Sequence, residues 1–393
     1  MDAELFLKPG LTIIHGDNGN GKSNLLEAIY ILAWGKSQRT GNDKDLIMFA
    51  NQEQDSPDIF NGVHTKVAAS IERIDGSTNV QIDLLKLDSK QEPKQRPYYS
   101  NLTELSQKLI KKNFRVNGVN RRISDLIGEI NAVLFTAQDL ELVYGTPKLR
   151  RRYIDMLISQ HNREYLKTLQ RYQRSVIQRN HLLRSIKRGS SKTPELKPWD
   201  EHIANDGGYI IYTRSMIIGK LSKLCLDQYN LLSPQNEKLN LIYSTQVVEK
   251  ASEHDKTFIT QALQEKLSTC LDNDLTKGFT SVGPHRDDFQ LTINDFDSAR
   301  FASRGQTRLA VLSLKLAEAQ YLSEERGENP LLLLDDVLSE LDPVRRNLVL
   351  NVVSKYEQSV ITTSEIENIP EDYKSKVRTY QICKGKIKLD GNI

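Results

Sequence analysis

The 393 residues, 38% hydrophobic and 27% charged, are too many for one small stapled module and too apolar for a disordered chain, so a folded protein of two or three domains is expected. The formal charge of +3 is unevenly spread: Lys148 to Lys192 carries thirteen Lys/Arg against Asp155 and Glu164, a net +11 that leaves the rest of the chain at −8. Three scattered cysteines (Cys225, Cys270, Cys383) suit neither a disulfide framework nor a zinc site. The sequence contains no run of about 18 apolar residues and no basic-then-apolar start, so a cytoplasmic protein without a membrane partner is expected.

In chain order, Leu11 to His15 is a short β-rich run that stops at Gly16-Asp17-Asn18-Gly19-Asn20-Gly21-Lys22-Ser23, after which Leu25, Leu26, Ile29, Tyr30 and Leu32 keep helical spacing. Strand, loop and helix are the context that the pattern G-x-x-x-x-G-K-[ST] requires. The glycines let backbone N–H groups turn inward on phosphate oxygens, and the helix N-terminus adds a positive dipole end. Lys22 is expected to reach the β- and γ-phosphates and Ser23 to ligate Mg²⁺.

Alternating stretches from Val67 to Ile74 and Asn79 to Leu87, separated by Asp75-Gly76-Ser77, and a third at Phe114 to Val116 turning on Asn117-Gly118, predict an antiparallel β-meander. From Arg150 to about Leu232 the apolar residues take helical spacing and predict two long helices, an antiparallel pair, joined by a flexible linker from Lys187 to Pro198. This is also the basic segment. Its charge predicts sequence-independent contacts with duplex phosphates, and no aromatic platform for base stacking is evident. The plainer reading is a solvated helix face, although thirteen bases to two acids exceeds what solubility needs.

Ser303-Arg304-Gly305-Gln306 opens a helix with Leu309, Leu312, Leu316 and Leu322 on one face; it reads either as a second anion site or as an ordinary helix cap. Leu331 to Leu334 followed by Asp335-Asp336 predicts a central parallel strand that ends in two carboxylates, where open α/β sheets bind ligands. Asp335 is expected beside the metal, and Asp336 is expected to orient or deprotonate the attacking water. Asp342, after Leu338-Ser339-Glu340-Leu341, is also consistent with a simple helix N-terminal charge. Ser359 to Thr363 and Arg378 to Cys383 are further strand-like segments.

The ordered set GDNGNGKSNLLEAIY, SRGQ and LLLLDDVLSELD resembles the ABC-type ATPase heads of the SMC class and, more narrowly, the RecF family of bacterial recombination. Supporting strings are Gly35 to Thr40, Phe135 to Leu140 with Gly145, Pro147 and Arg151-Arg152, and Gly283-Pro284-His285-Arg286-Asp287-Asp288, so the resemblance spans nearly the whole chain. It implies an α/β P-loop NTPase head with a mixed sheet and antiparallel β-meander. Residues 1–140 and 281–393 would form a discontinuous ATPase lobe, with 141–280 as an inserted, basic helical arm. It also implies ATP and Mg²⁺ as cofactors and an ATP-dependent head-to-head homodimer, in which Ser303, Gly305 and Gln306 cap the nucleotide on the other subunit's Lys22. Gln138 falls at the place of the Q-loop, coupling Mg²⁺ and the attacking water to the arm, and Asp342 matches the D-loop acid.

Further implications concern DNA and partners. Arg39 lies where such heads turn an arginine toward DNA or the dimer interface, and Arg150, Arg151, Arg152, Arg171 and Arg174 are the expected phosphate contacts. The implied partners are duplex, gapped or single-strand/duplex junction DNA and recombination mediators of the RecR and RecO type. The implied function is gap repair, replication restart and SOS induction with weak, DNA-stimulated ATP hydrolysis; the alternative is an ATP-sensing scaffold. Asp336 stands where most ABC ATPases have Glu, one methylene longer, which suggests slow hydrolysis. Thr stands in Val360 to Ser364 where transporters place a switch histidine, which argues against a transporter subunit. Relatives begin with a basic-aromatic strand ahead of the segment matching Leu5 to Pro9; here it is absent, through a late start codon or true shortening. In Gly283 to Asp288, either His285 and Arg286 act at a dimer seam, or Asp287 and Asp288 hold Arg286 in a structural ion pair.

Overall fold

A computed structural model describes residues 3–38, 46–47, 64–73, 76–86, 110–233, 237–374 and 377–391. The strands are β1 (Gly10–His15), β2 (His64–Arg73), β3 (Gly76–Lys86), β4 (Ile110–Val116), β5 (Val119–Arg121), β6 (Ala132–Phe135), β7 (Leu239–Ser244), β8 (Asp288–Ile293), β9 (Phe296–Asp297), β10 (Leu331–Asp335), β11 (Gln358–Thr363), β12 (Arg378–Cys383) and β13 (Lys386–Gly391). The longer helices are α1 (Lys22–Trp34), α2 (Pro147–His161), α3 (Arg163–Lys187), α4 (Lys197–Leu232), α5 (Lys256–Thr269), α6 (Arg304–Arg326) and α7 (Pro343–Val353). Packing divides the chain into two units. One comprises Met1–Leu134, Pro330–Glu340 and Tyr356–Ile393, the other Phe135–Asn329 and Leu341–Lys355. By their contacts residues 281–329 and 341–355 group with the second, helical unit.

In the first unit a six-stranded sheet runs β13-β12-β1-β11-β10-β6. β1 pairs in parallel with β11 and β12, and β10 in parallel with β11. The four leucines of β10 lie between two neighbours, and Leu332, Leu333 and Leu334 are buried, as expected for a central strand. Thr362 of β11 stands opposite Ile14 on one side and Asp335 on the other. That register lines up the carboxyl ends of β1, β10 and β11, the edge at which open α/β sheets bind ligands. α1 packs against β10 and β11. The meander is present as a separate antiparallel sheet, β2-β3-β4-β5, turning on the left-handed Asn117-Gly118; Asp75 lies outside the described residues.

In the second unit the 36-residue α4 is the hub, packing against α3, α5, α6 and β7. The predicted pair of helices is therefore only part of a larger bundle. At Gly207 a Cβ would come 2.6 Å from Leu263 Cδ2, and at Gly208 it would clash with Thr260 Oγ1, so these glycines allow α5 to sit close on α4. The segment expected to be a flexible linker is a structured corner. Residues Thr193–Leu196 form a 3₁₀ turn, Leu196 is buried, and Pro198 occupies the first turn of α4. A short sheet, β7-β8-β9, completes the unit. Among the described residues no helix is long and apolar enough to cross a membrane.

Candidate nucleotide site

The loop of residues 16–23 leaves β1 and enters α1 through left-handed backbone at Gly19 (φ 84°) and Gly21 (φ 101°). Lys22 is only 6% exposed because its ammonium turns back on the loop and donates to the carbonyls of Gly16 (2.5 Å) and Asp17 (3.1 Å). One residue on, the Ser23 hydroxyl donates to Asp335 Oδ1 at 2.9 Å, across 312 residues of sequence. The phosphate loop and the carboxylate strand thus meet, and Lys22, Ser23, Asp335 and Asp336 form one cluster.

Thr362 completes it. Its fully buried hydroxyl donates to Asp335 Oδ1 (2.8 Å) and accepts the Asp336 N–H (3.0 Å). Asp336 takes a left-handed backbone, φ 52°, uncommon for a residue with a Cβ, and the Ser339 hydroxyl donates to its carbonyl at 2.9 Å. Burial raises the Asp336 carboxyl above the ordinary carboxylate range, while Ser339 and the Lys22 ammonium oppose the shift. Its Oδ1 is buried without a hydrogen-bond partner. An unpartnered carboxylate oxygen beside Ser23 and Asp335 is an oxygen-donor corner that fits Mg²⁺. That ion takes one or two carboxylates and completes its shell with water and substrate phosphates. Local pattern does not single out Thr362 between the two threonines of Val360 to Ser364; its anchoring role depends on strand register.

The remaining candidates lie in the second unit. Gln138 is exposed on the 3₁₀ turn Ala137–Leu140, which is ordered by the buried Asp139 accepting the Thr136 N–H at 2.6 Å. Ser303 is the N-cap of α6. Its hydroxyl accepts the Gln306 N–H (3.2 Å), and the Gln306 side chain accepts the Ser303 N–H (2.8 Å) while donating to Glu237 (2.5 Å). Gly305 faces Arg345, whose own N–H is capped by Asp342 at 3.0 Å. The Ser303 side is exposed, and the three signature residues form one helix start.

The basic segment divides into two sets. Arg150 is buried and bidentate to Asp288, 2.7 Å at both contacts, with a third bond to the Gly145 carbonyl. Arg179, fully buried, is held by Asp200 and Asp274, each at 2.6 Å. Arg150 is therefore a structural ion pair and not a surface phosphate contact, a correction of the sequence expectation. Helical spacing carried the signal: Arg150 shares its stripe with Ile154, Leu157 and Ile158, and Arg179 with Tyr172, Val176 and Leu183. Arg151 donates to the Asp287 carbonyl (2.7 Å) and Arg152 is exposed. Along α3 the exposed Arg163, Lys167, Arg171 and Arg174 form a stripe one turn apart, with Arg171 also paired to Asp206 at 2.7 Å. Arg39 lies outside the described residues.

The segment Gly283 to Asp288 is a structural junction. His285 Nδ1 lies 2.7 Å from the Tyr172 hydroxyl and its Nε2 3.0 Å from the Thr280 carbonyl, while Arg214 reaches the Pro284 carbonyl at 2.6 Å and Asp155 at 2.7 Å. Asp287 accepts from Tyr243, and Asp288 pairs with Arg150. Neither aspartate holds Arg286, which is exposed and lies over the Phe279 ring at 4.9 Å.

Comparison with known proteins shows the family. Residues 2–388 match the family model described as RecF/RecN/SMC N terminal domain. The chain is 33% identical over 383 residues to the DNA replication and repair protein RecF of Lactobacillus acidophilus, covering 97% of this chain and 93% of that protein. It is equally identical over 390 residues to the protein of the same name from Symbiobacterium thermophilum, covering 98% and 94%. A solved structure of the recombination mediator protein RecF with ATP matches with a TM-score of 0.81 at 31% identity, covering 98% of this chain and 93% of that one.

Proposed function

The chain belongs to the RecF/RecN/SMC N terminal domain family and has its mixed α/β head fold, and from that membership we propose that it is an ATP-dependent DNA-binding protein of replication and recombinational repair. The observation that carries the reading is the Ser23–Asp335 contact beside Lys22, which joins a phosphate loop to a carboxylate strand at one sheet edge. The solved RecF structure similar to this chain is one with ATP, which supports ATP as the ligand.

In this reading the N–H groups of residues 16–23 cradle the phosphates and Lys22 exchanges its loop carbonyls for the terminal phosphate. Ser23 and Asp335 would hold Mg²⁺, which would supply charge neutralisation of the phosphoryl oxygens. Asp336, anchored through Thr362, orients and deprotonates the attacking water, and its short side chain makes turnover slow. Ser303, Gly305 and Gln306 cap the nucleotide of a second copy, so ATP drives head-to-head dimerisation. The α3 stripe, with Arg171 and Arg174, and Arg151 and Arg152 of α2 take duplex phosphates at gaps or junctions. The bound form recruits mediators of the RecR and RecO type in gap repair, replication restart and SOS induction.

Sedimentation with ATP, with ADP and without nucleotide tests the reading. The chain is expected to dimerise only with ATP, and Ser303→Arg is expected to keep ATP binding and lose the dimer. Dimers that persist in Ser303→Arg would reduce the signature to the helix cap it also is.

A further inference from the structure

We infer that the β12–β13 hairpin is a positioning element for the phosphate loop and sets its affinity for a nucleoside triphosphate; the inference rests on the nucleotide reading of that loop. Contacts at three points of the loop carry it. The hairpin tip places the Lys384 N–H on the Asn20 side-chain oxygen and the Gly385 N–H on the Asn20 carbonyl, both at 3.2 Å. At the first loop residue, Gly16 (φ 148°), a Cβ would collide with the carbonyl oxygen of Ile382, in β12. One residue earlier, His15 Nε2 lies 2.8 Å from Asp390 Oδ2 on β13. The loop is therefore gripped at its entry, its first glycine and its fifth position by a segment more than 360 residues away in sequence.

The tip is built for this. Cys383 pairs with Lys386, and the two residues between them, Lys384 (φ 47°) and Gly385 (φ 76°), are both left-handed, as in a tight two-residue hairpin. That turn leaves its own N–H groups unused by the β-ladder and available to Asn20. A phosphate loop needs convergent N–H groups before the ligand arrives, and one containing Gly16, Gly19 and Gly21 loses much conformational freedom when ordered. Contacts that order it in advance remove that cost from binding. Gly385 and Asp390 are thus positioning residues, acting through Gly16 to Ser23 and not on the phosphates themselves.

The test uses the full chain and two readouts. Hydrogen exchange across residues 16–23 without nucleotide reports loop order, and the Kd of a fluorescent non-hydrolysable ATP analogue with Mg²⁺ reports affinity. Asp390→Ala and Gly385→Pro are expected to speed exchange and to weaken binding roughly three- to tenfold, the scale of one lost hydrogen bond or two. Asp390→Asn keeps an acceptor for His15 and should restore parent behaviour; Lys388→Ala, exposed on the same strand, should match the parent with a similar melting temperature. Exchange at the parent rate in both disruptive variants overturns the inference, as does an affinity loss that Asp390→Asn fails to rescue. A parent chain that binds no analogue, with exchange still raised in the variants, removes the nucleotide reading and leaves the positioning contacts standing.

Discussion

Replacing Thr362 by valine removes one hydroxyl from a fully buried position while keeping nearly the same shape, so the outcome reports hydrogen bonding and not cavity formation. Its two shorter bonds dominate the loss: one to the Asp335 carboxylate, worth about 1.5–3 kcal/mol, and one from the Asp336 peptide, worth about 0.5–1.5 kcal/mol, beside a long contact of 3.4 Å to the Leu334 carbonyl. The first unit should therefore lose about 2–4 kcal/mol. Thr362→Ser keeps the hydroxyl and deletes one buried methyl, costing about 1 kcal/mol. The two tryptophans make the assay clean, since Trp34 lies in the first unit and Trp199 in the second. In a Trp199→Phe background, urea unfolding followed by Trp34 fluorescence should show a midpoint lowered by roughly 1 M or more for valine and by much less for serine, at m-values of about 2–3 kcal/mol/M. Because Thr362 also fixes where the strained Asp336 places its carboxylate, ATP turnover should fall at least about tenfold in the valine variant, equivalent to about 1.4 kcal/mol of barrier, with nucleotide binding retained. Coinciding midpoints for valine and serine, together with parental turnover, would refute the anchoring argument.

The two sets of arginines separate by stability and salt dependence. Arg150→Ala deprives the half-buried Asp288 of its bidentate partner and leaves it only the Phe289 N–H, which should cost about 3 kcal/mol, whereas Arg174→Ala should stay within about 0.5 kcal/mol of the parent while lowering the salt slope of DNA binding by about one; similar melting losses for both would contradict the division. The Gly283 to Asp288 junction predicts an unusual acid response. Burial lowers His285 from 6.5 to about 4, so the unfolded chain binds more protons there and stability is lost as pH falls from 6.5 toward 4. Burial raises Asp287 from 3.8 to about 6, so the folded chain binds more protons and stability is gained as pH falls from 6 toward 4. Each effect is about 3 kcal/mol, and they nearly cancel in the parent. Denaturation between pH 4 and 7 should expose opposite slopes: Asp287→Asn losing stability on acidification, His285→Gln gaining it. Parallel slopes would mean the two groups do not titrate as their surroundings dictate.

Local pattern was enough to determine that residues 16–23 form a glycine-rich loop between a strand and a helix, that Leu331 to Leu334 is a buried strand ending in Asp335, and that the chain contains a meander and long helices. These features follow from interactions within a few residues: glycine's access to left-handed backbone, the periods of helix and strand, and capping by Ser303. What local pattern could not supply was the partner of each polar group. Arg150 and Arg179 lie on buried helical stripes, yet whether such a charge faces solvent or an aspartate depends on residues 138 and 95 positions away. Thr362 becomes an anchor only through parallel register with β1 and β10, and residues 304–326 join the helical unit by packing α6 on α4. Periodicity assigns a side chain to a face, but only the packed tertiary structure decides what lies opposite, and for a buried charge or hydroxyl that opposite group sets both its energy and its role.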